Sequence, residues 1–514
     1  MDNPQKNGVG STENIELPPL RPKKRRSSTK DKIWSQTKAR LPILAWLPSY
    51  NWKTDFVSDF FAGLTLAFIN VPQALAFAIL ANAPLISGMY TACFSALVYA
   101  FLGTAKVSAF GPVAVGSMLT GESVAVYMTS KNMSAPPDGT LEDHSMRVTY
   151  IASLTFTIGL MYFLFFVLRM SVIRVLFTKA FVTGFISGCC VHIFVKSLKM
   201  IFRLKIKSHY GYFVVYKNLK DLLVKVPDTH VPTLVFSLVV IAILLSNTFL
   251  LKKLVAKVTT FIVPIEAVVL IASVVLSYYF DFPSLGFDTV GFIPNGMPHL
   301  SPVNPSLIPT VVPDAVTIST INYATSLSMV LAFNPGILKA NQETLAMSAA
   351  NLICSNIQCI TIGNSMMRTI VAINLGIKSQ LSTIISCTIL LFVLLFAGPL
   401  FQPLPTAVLG CIIVLSIGQL LVTNLLAVPA VFRISLEDGL IWMSVFLATT
   451  FLDMQIGLVV GFVLTLRQLL VRVIGEDQEK QRQKEEAELE AVQASLPENE
   501  KLLDRGRKLS MSDQ

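Results

Sequence analysis

Between Asp55 and Arg472 one apolar run follows another with little polar sequence between them. A span of roughly 20 apolar residues is what a helix needs to cross about 30 Å of hydrocarbon. A chain built of such runs has no water-soluble fold that could bury them all. Hydrophobic residues make up 53% of the sequence and charged residues 14%, about half of the roughly 25% charged content of soluble domains. The mean hydropathy is +0.63. A secreted disulfide scaffold, a disordered chain and an ordinary soluble enzyme are excluded. The fold class is an all-α polytopic membrane protein. The seven cysteines lie in apolar stretches without a CxxC pair, so they read as small buried residues and not as metal ligands. No metal and no cofactor is expected.

Three parts follow from composition. Residues 1–54 are a polar, basic tail, residues 55–472 the membrane domain and residues 473–514 a polar tail. The domain has room for about twelve to fourteen helices. Spans are expected at Phe60–Leu80, Leu85–Leu102, Phe110–Tyr127, Val148–Leu168, Val172–Val195, Pro232–Leu251 and Phe261–Phe280. A second set is expected at Val311–Phe333, Gln342–Asn356, Met366–Gly376, Leu381–Ala397, Thr406–Leu421, Leu436–Phe451 and Ile456–Val471. The first fifty residues carry a surplus of six positive charges. Positive loops stay in the cytoplasm, so an even number of spans puts both termini there. The loop 128–147 then faces out and offers Asn132 in Asn132-Met133-Ser134 for N-glycosylation. Lys196–Val231, with eight basic and two acidic residues, falls outside against this rule. The basic surplus speaks of topology, and no nucleic-acid partner is expected.

Two spans read as broken. Lys106-Val-Ser-Ala-Phe110-Gly111-Pro112-Val113 precedes the third, and Ile360-Thr-Ile-Gly363-Asn364-Ser365-Met366-Met367-Arg368 precedes the tenth. Each is an extended stretch, a Gly/Pro or Gly/Asn/Ser break, then a short helix. Pro suits a first helical position and Ser or Asn a cap. Extended backbone survives in a membrane only when buried in protein or lining a cavity. The breaks lie at similar places in two halves, the pattern of an inverted-repeat transporter site. Two facing helix starts, each carrying roughly half a positive charge, together with Arg368 suit an anion.

The run Asp59-Phe-Phe-Ala-Gly63…Val71-Pro72-Gln73-Ala-Leu-Ala-Phe77…Gly88-Met-Tyr90, with Tyr99…Gly103-Thr…Gly111-Pro112, Asn341-Gln342-Glu343, Leu404-Pro405 and Val431-Phe-Arg433…Trp442…Asp453, resembles the sulfate permease family, solute carrier family 26. The resemblance covers about residues 20–472. It implies fourteen spans in a 7+7 inverted repeat. Spans 1–4 and 8–11 would be a core domain that slides past a gate domain in an elevator mechanism. It implies a secondary-active transporter or antiporter for inorganic anions (sulfate, chloride, bicarbonate, oxalate) and no enzyme activity. By motif match, Gln73, Phe77, Phe110, Gly111, Pro112, Val113, Ser365, Met366, Met367 and Arg368 would line the pocket. The partners would be small anions and the lipid bilayer, with a homodimer left open. The plasma membrane is the expected address, an endolysosomal membrane the other.

Two departures from the family pattern stand out. The family motif resembles Ser-x-Ser-Arg, and here Met367 replaces the second hydroxyl. A thioether donates no hydrogen bond, which should weaken sulfate by about 1–3 kcal/mol. The family also usually appends a STAS domain, for which the 43 residues from Arg472 leave no room. The alternative reading is a non-transporting or voltage-responsive membrane scaffold of the same fold. A proton-coupled carrier would call for acidic residues within Ile321–Met329, which has none.

Blander roles are expected for other residues. Gln73 reads equally as an interhelical partner, Glu343 as a helix cap, His192 as a satisfied core residue and Asp453 as a cap. Arg25-Arg26-Ser27-Ser28 and Arg507-Lys508-Leu509-Ser510 resemble kinase sites. Glu498-Asn-Glu-Lys-Leu502-Leu503 resembles an acidic dileucine sorting signal.

Overall fold

The computed structural model describes residues 37–495, apart from 39, 132–140, 170–176, 205, 207–208, 210, 248–263, 292, 294–295, 302 and 335–338. Asn132, the two kinase-like motifs and the residues Glu498, Leu502 and Leu503 lie outside the described residues.

The described residues are mostly helical. In the first half come α1 (Phe56–Leu80), α2 (Leu85–Leu102), strand β1 (Phe110–Pro112), α3 (Ala114–Ser130), α4 (Leu141–Val167) and α5 (Lys179–Ile201). They are followed by α6 (Val214–Lys225), α7 (Val231–Ser246) and α8 (Ile265–Tyr279). The second half has α9 (Ile308–Phe333), α10 (Ala340–Ser355), strand β2 (Ile362–Asn364), α11 (Met366–Asn374) and α12 (Leu381–Phe401). It ends in α13 (Thr406–Ile434), α14 (Leu436–Leu447) and α15 (Met454–Ser495).

Seven of these helices among the described residues are long and apolar enough to cross a membrane, or eight if a bent pair counts as one. The expected fourteen is not reached on that measure, for physical reasons. α9 is 26 residues long but carries Thr317, Ser319, Asn322, Thr325 and Ser326. α3 has 17 residues and α11 only 9, as broken spans should.

The helices pack as two groups. α4 lies on α9 and α10, and α1 on α2, α3 and α12. Separately, α5 packs on α13, α14 and α15, and α7 on α13. The groups meet where α1 touches α8 and α13, and where α3 touches α5. Close approach is bought by small residues: a Cβ on Gly121 of α3 would fall 1.9 Å from the Leu80 carbonyl of α1.

The basic stretch Lys196–Val231 is partly helical. It contains the amphipathic α6, and the segment Val214–Asp228 meets Val231–Ser246 at 116°. Its apolar residues Tyr216, Leu223 and Val224 are exposed alongside Lys217, Lys220 and Lys225, the make-up of an interfacial helix. Charged Glu476–Gln493 is continuous with the last span, giving one 42-residue helix, about 63 Å long at 1.5 Å per residue.

Candidate functional site

β1 and β2 pair antiparallel, with Phe110 opposite Asn364, Gly111 opposite Gly363 and Pro112 opposite Ile362. All six residues are buried. Their mutual bonds satisfy backbone that no water reaches. The register sets the starts of α3 and α11 at opposite ends of the ribbon. Pro112 belongs to the strand, and α3 begins two residues later, after Val113, which caps it with no side-chain acceptor. The expectation of Pro at the helix start is thereby corrected. Ser365 takes the expected cap position of α11, its hydroxyl accepting from the Arg368 backbone N–H at 3.5 Å.

Arg368, in the first turn of α11, is 1% exposed. Its Nη1 donates to Asn70 Oδ1 at 3.0 Å and its Nη2 to the Pro112 carbonyl at 2.6 Å. Nε has no hydrogen-bond partner. Ion pairs among the described residues are Arg203–Asp288, His209–Asp221 and Arg482–Glu486. The buried guanidinium therefore rests on neutral acceptors, with donors to spare from its five. Gly111 makes room for it. Its φ is +151°, and a Cβ there would sit 3.1 Å from Arg368 Nη1.

Beside Arg368 lies a cavity of about 110 Å³, walled by α1 and α11 on one side and by α7, α8 and α13 on the other. Gln73, Glu266, Met367, Arg368, Ser416 and Gln419 are on its wall. Of the ten residues that motif matching assigns to a pocket, Gln73, Met367 and Arg368 are here together. The other seven are not on this wall. Phe77 is buried in the apolar core. The Phe110 ring stacks on Tyr99 with centroids 4.1 Å apart. Gly111 and Pro112 are ribbon, Val113 and Ser365 are caps, and Met366 is 38% exposed. The cavity thus has one helix start on its wall, that of α11. No residue of α3 is on this wall.

A larger cavity of about 160 Å³ is lined by Glu122, Asp314 and Asp453. Three carboxylates oppose an anion there, and the cavity beside Arg368 is the candidate.

Polar anchors that sequence reasoning missed hold the ribbon. Glu343 is fully buried and accepts from the Tyr99 hydroxyl at 2.6 Å, from the N–H groups of Thr104 and Ala105 and from the Thr104 hydroxyl. It is not a cap for its own helix. It pins the turn that leads into β1. Asn334 accepts from the N–H groups of Lys106 and Val107. Ser326 accepts from Asn364 N at 2.9 Å and Thr369 from Ala109 N at 3.2 Å. Asp59 accepts from Lys378 N, Ser379 N, the Ser379 hydroxyl and the Tyr50 hydroxyl. Burial, and then the Asp59 carboxylate, push the pKa of Tyr50 above its ordinary value. An acid at the edge of an apolar run was the available signal for Asp59 and Glu343. His192 is a satisfied core residue, its Nε2 2.9 Å from the Thr449 carbonyl. Asp453 caps the start of α15, accepting from Gln455 N at 2.9 Å.

Comparison with known proteins bears on this arrangement. Residues 56–445 match the sulfate permease family. The chain is 31% identical to human prestin over 443 residues, which is 84% of this chain and 59% of prestin. It therefore spans less than two thirds of that relative. A structure of SLC26A9 superposes with a TM-score of 0.80 at 25% identity, over 87% of this chain and 70% of the other. The murine Solute Carrier 26 family member A9 anion transporter in the inward-facing state does so with 0.79 at 26% identity, over 88% and 74%. With the family match covering most of the membrane domain and the fold shared with a solved anion transporter, the chain belongs to the sulfate permease family.

Proposed function

We propose that this chain is a secondary-active transporter or exchanger of small inorganic anions of the chloride, bicarbonate, sulfate and oxalate class. The observation that carries it is Arg368: a guanidinium 1% exposed, bonded to a neutral amide and a carbonyl, on the wall of a cavity of about 110 Å³. A bare arginine costs about 2.5 kcal/mol or more in hydrocarbon. A visiting anion removes that cost while bound. The cavity lies at the seam between two packing groups, where binding and relative motion of the groups can be coupled.

α1–α5, α7 and α8 against α9–α15 would make fourteen spans in a 7+7 arrangement. The third member of each half is a strand followed by a short helix, which supports an inverted repeat. α1–α4 with α9–α12 would be the moving core and the remainder the gate, in an elevator mechanism. Both termini would face the cytoplasm, as the basic amino-terminal tail favours, in the plasma membrane.

The test is uptake of labelled chloride, bicarbonate, sulfate and oxalate into proteoliposomes of purified, monodisperse protein. Saturable uptake of at least one anion, lost in Arg368→Gln, is expected. No movement of any of them would end this reading in favour of the non-transporting scaffold, which the exposed thioether of Met367 in the cavity favours.

A further inference from the structure

Glu266 was not marked by any sequence motif, yet it stands on the cavity wall with Arg368. It occupies the first turn of α8, behind Pro264, which provides no side-chain cap. A helix start favours a negative charge. Gln73 Nε2 donates to Glu266 Oε2 at 3.4 Å. Gln73 and Arg368 come from one packing group, while α8 contacts α1 from the other side of the seam.

We propose that Glu266 sets the charge selectivity of this cavity, favouring monovalent over divalent anions. The inference rests on the reading that anions bind beside Arg368. Coulomb energy scales with the product of the charges. Among the described residues the wall holds one guanidinium and one carboxylate. The carboxylate repels a dianion twice as strongly as a monoanion, and the dianion has more hydration to give up. Neutralising Glu266 removes that repulsion, and the dianion benefits twice as much as the monoanion. Glu266 also holds the Gln73 amide, so an anion that takes this donor must do so against a standing carboxylate.

The experiment compares wild type with Glu266→Gln, Glu266→Ser and Glu266→Asp in proteoliposomes. It measures inhibition of labelled chloride uptake by sulfate and direct sulfate uptake. Both neutral variants are expected to raise the affinity for sulfate relative to chloride by tenfold or more, and Glu266→Asp to keep the wild-type ratio whatever its rate. Two neutral side chains of different size guard against one of them failing to fold. For purified variants, the shift in unfolding temperature on adding sulfate against chloride reads the same preference without transport. An unchanged sulfate-to-chloride ratio in the neutral variants, with wild-type uptake intact, overturns the role of Glu266 and leaves the anion site standing. Absence of uptake and of anion-dependent stabilisation in the wild type overturns both.

Discussion

Arg368 Nη2 donates to the carbonyl of Pro112 at 2.6 Å, across 256 residues of sequence. This bond ties the first turn of α11 to the last residue of β1. It makes one guanidinium both a structural clamp and a wall of the candidate cavity.

Arg368→Lys keeps the charge but cannot reach Asn70 and Pro112 with a planar fork. Each charge-assisted hydrogen bond is worth about 1.5–3 kcal/mol. Anion uptake is expected to fall at least tenfold and the unfolding temperature to drop by several degrees. Uptake at the wild-type level would remove Arg368 from the site.

Met367→Ser adds a hydroxyl donor on the cavity wall. At about 1–3 kcal/mol per satisfied donor, sulfate should compete with chloride uptake roughly 5- to 150-fold better than in the wild type. Competition curves in proteoliposomes measure this. No change would mean that position 367 does not meet the anion.

Gly111→Ala places a Cβ 3.1 Å from Arg368 Nη1 on a backbone with φ +151°. Strain of about 1–3 kcal/mol is expected, together with displacement of the guanidinium. The signature is a larger loss in uptake than in thermal stability, since the ribbon has other anchors. Equal losses would indicate general misfolding.

Glu343→Gln turns a fully buried acceptor of Tyr99, Thr104 and Ala105 into a group that must also hide two donors of its own. Loss of this anchor is expected to cost about 2–5 kcal/mol and to lower the unfolding temperature more than Gln455→Ala, at an exposed cap partner. An unchanged unfolding temperature would contradict the anchoring role.

All seven cysteines are buried and free. Reactivity needs access as well as thiolate. The folded protein in detergent should resist a bulky maleimide for hours and take up seven labels only after denaturation, as mass spectrometry would count. Rapid labelling of Cys354 or Cys359 would mean that the ribbon region opens.

Residue order alone was enough for the helical membrane class, for most span positions and for both breaks at Gly111-Pro112 and Gly363-Asn364. These are local properties: apolar runs, and residues that cannot continue a helix. The cap at Ser365 was legible for the same reason. What tertiary structure decided is which distant groups meet. The pairing of Gly111 with Gly363, the turn held by Glu343 across 244 residues to Tyr99 and the contact of Gln73 with Glu266 across 193 leave no periodic trace in the chain. Nor does sequence say that Phe110 turns toward Tyr99 and not toward the cavity. Hydrophobic patterning places a residue inside the protein because burial is a one-body preference. Which partner it finds there is a two-body question, and only the packed helices answer it.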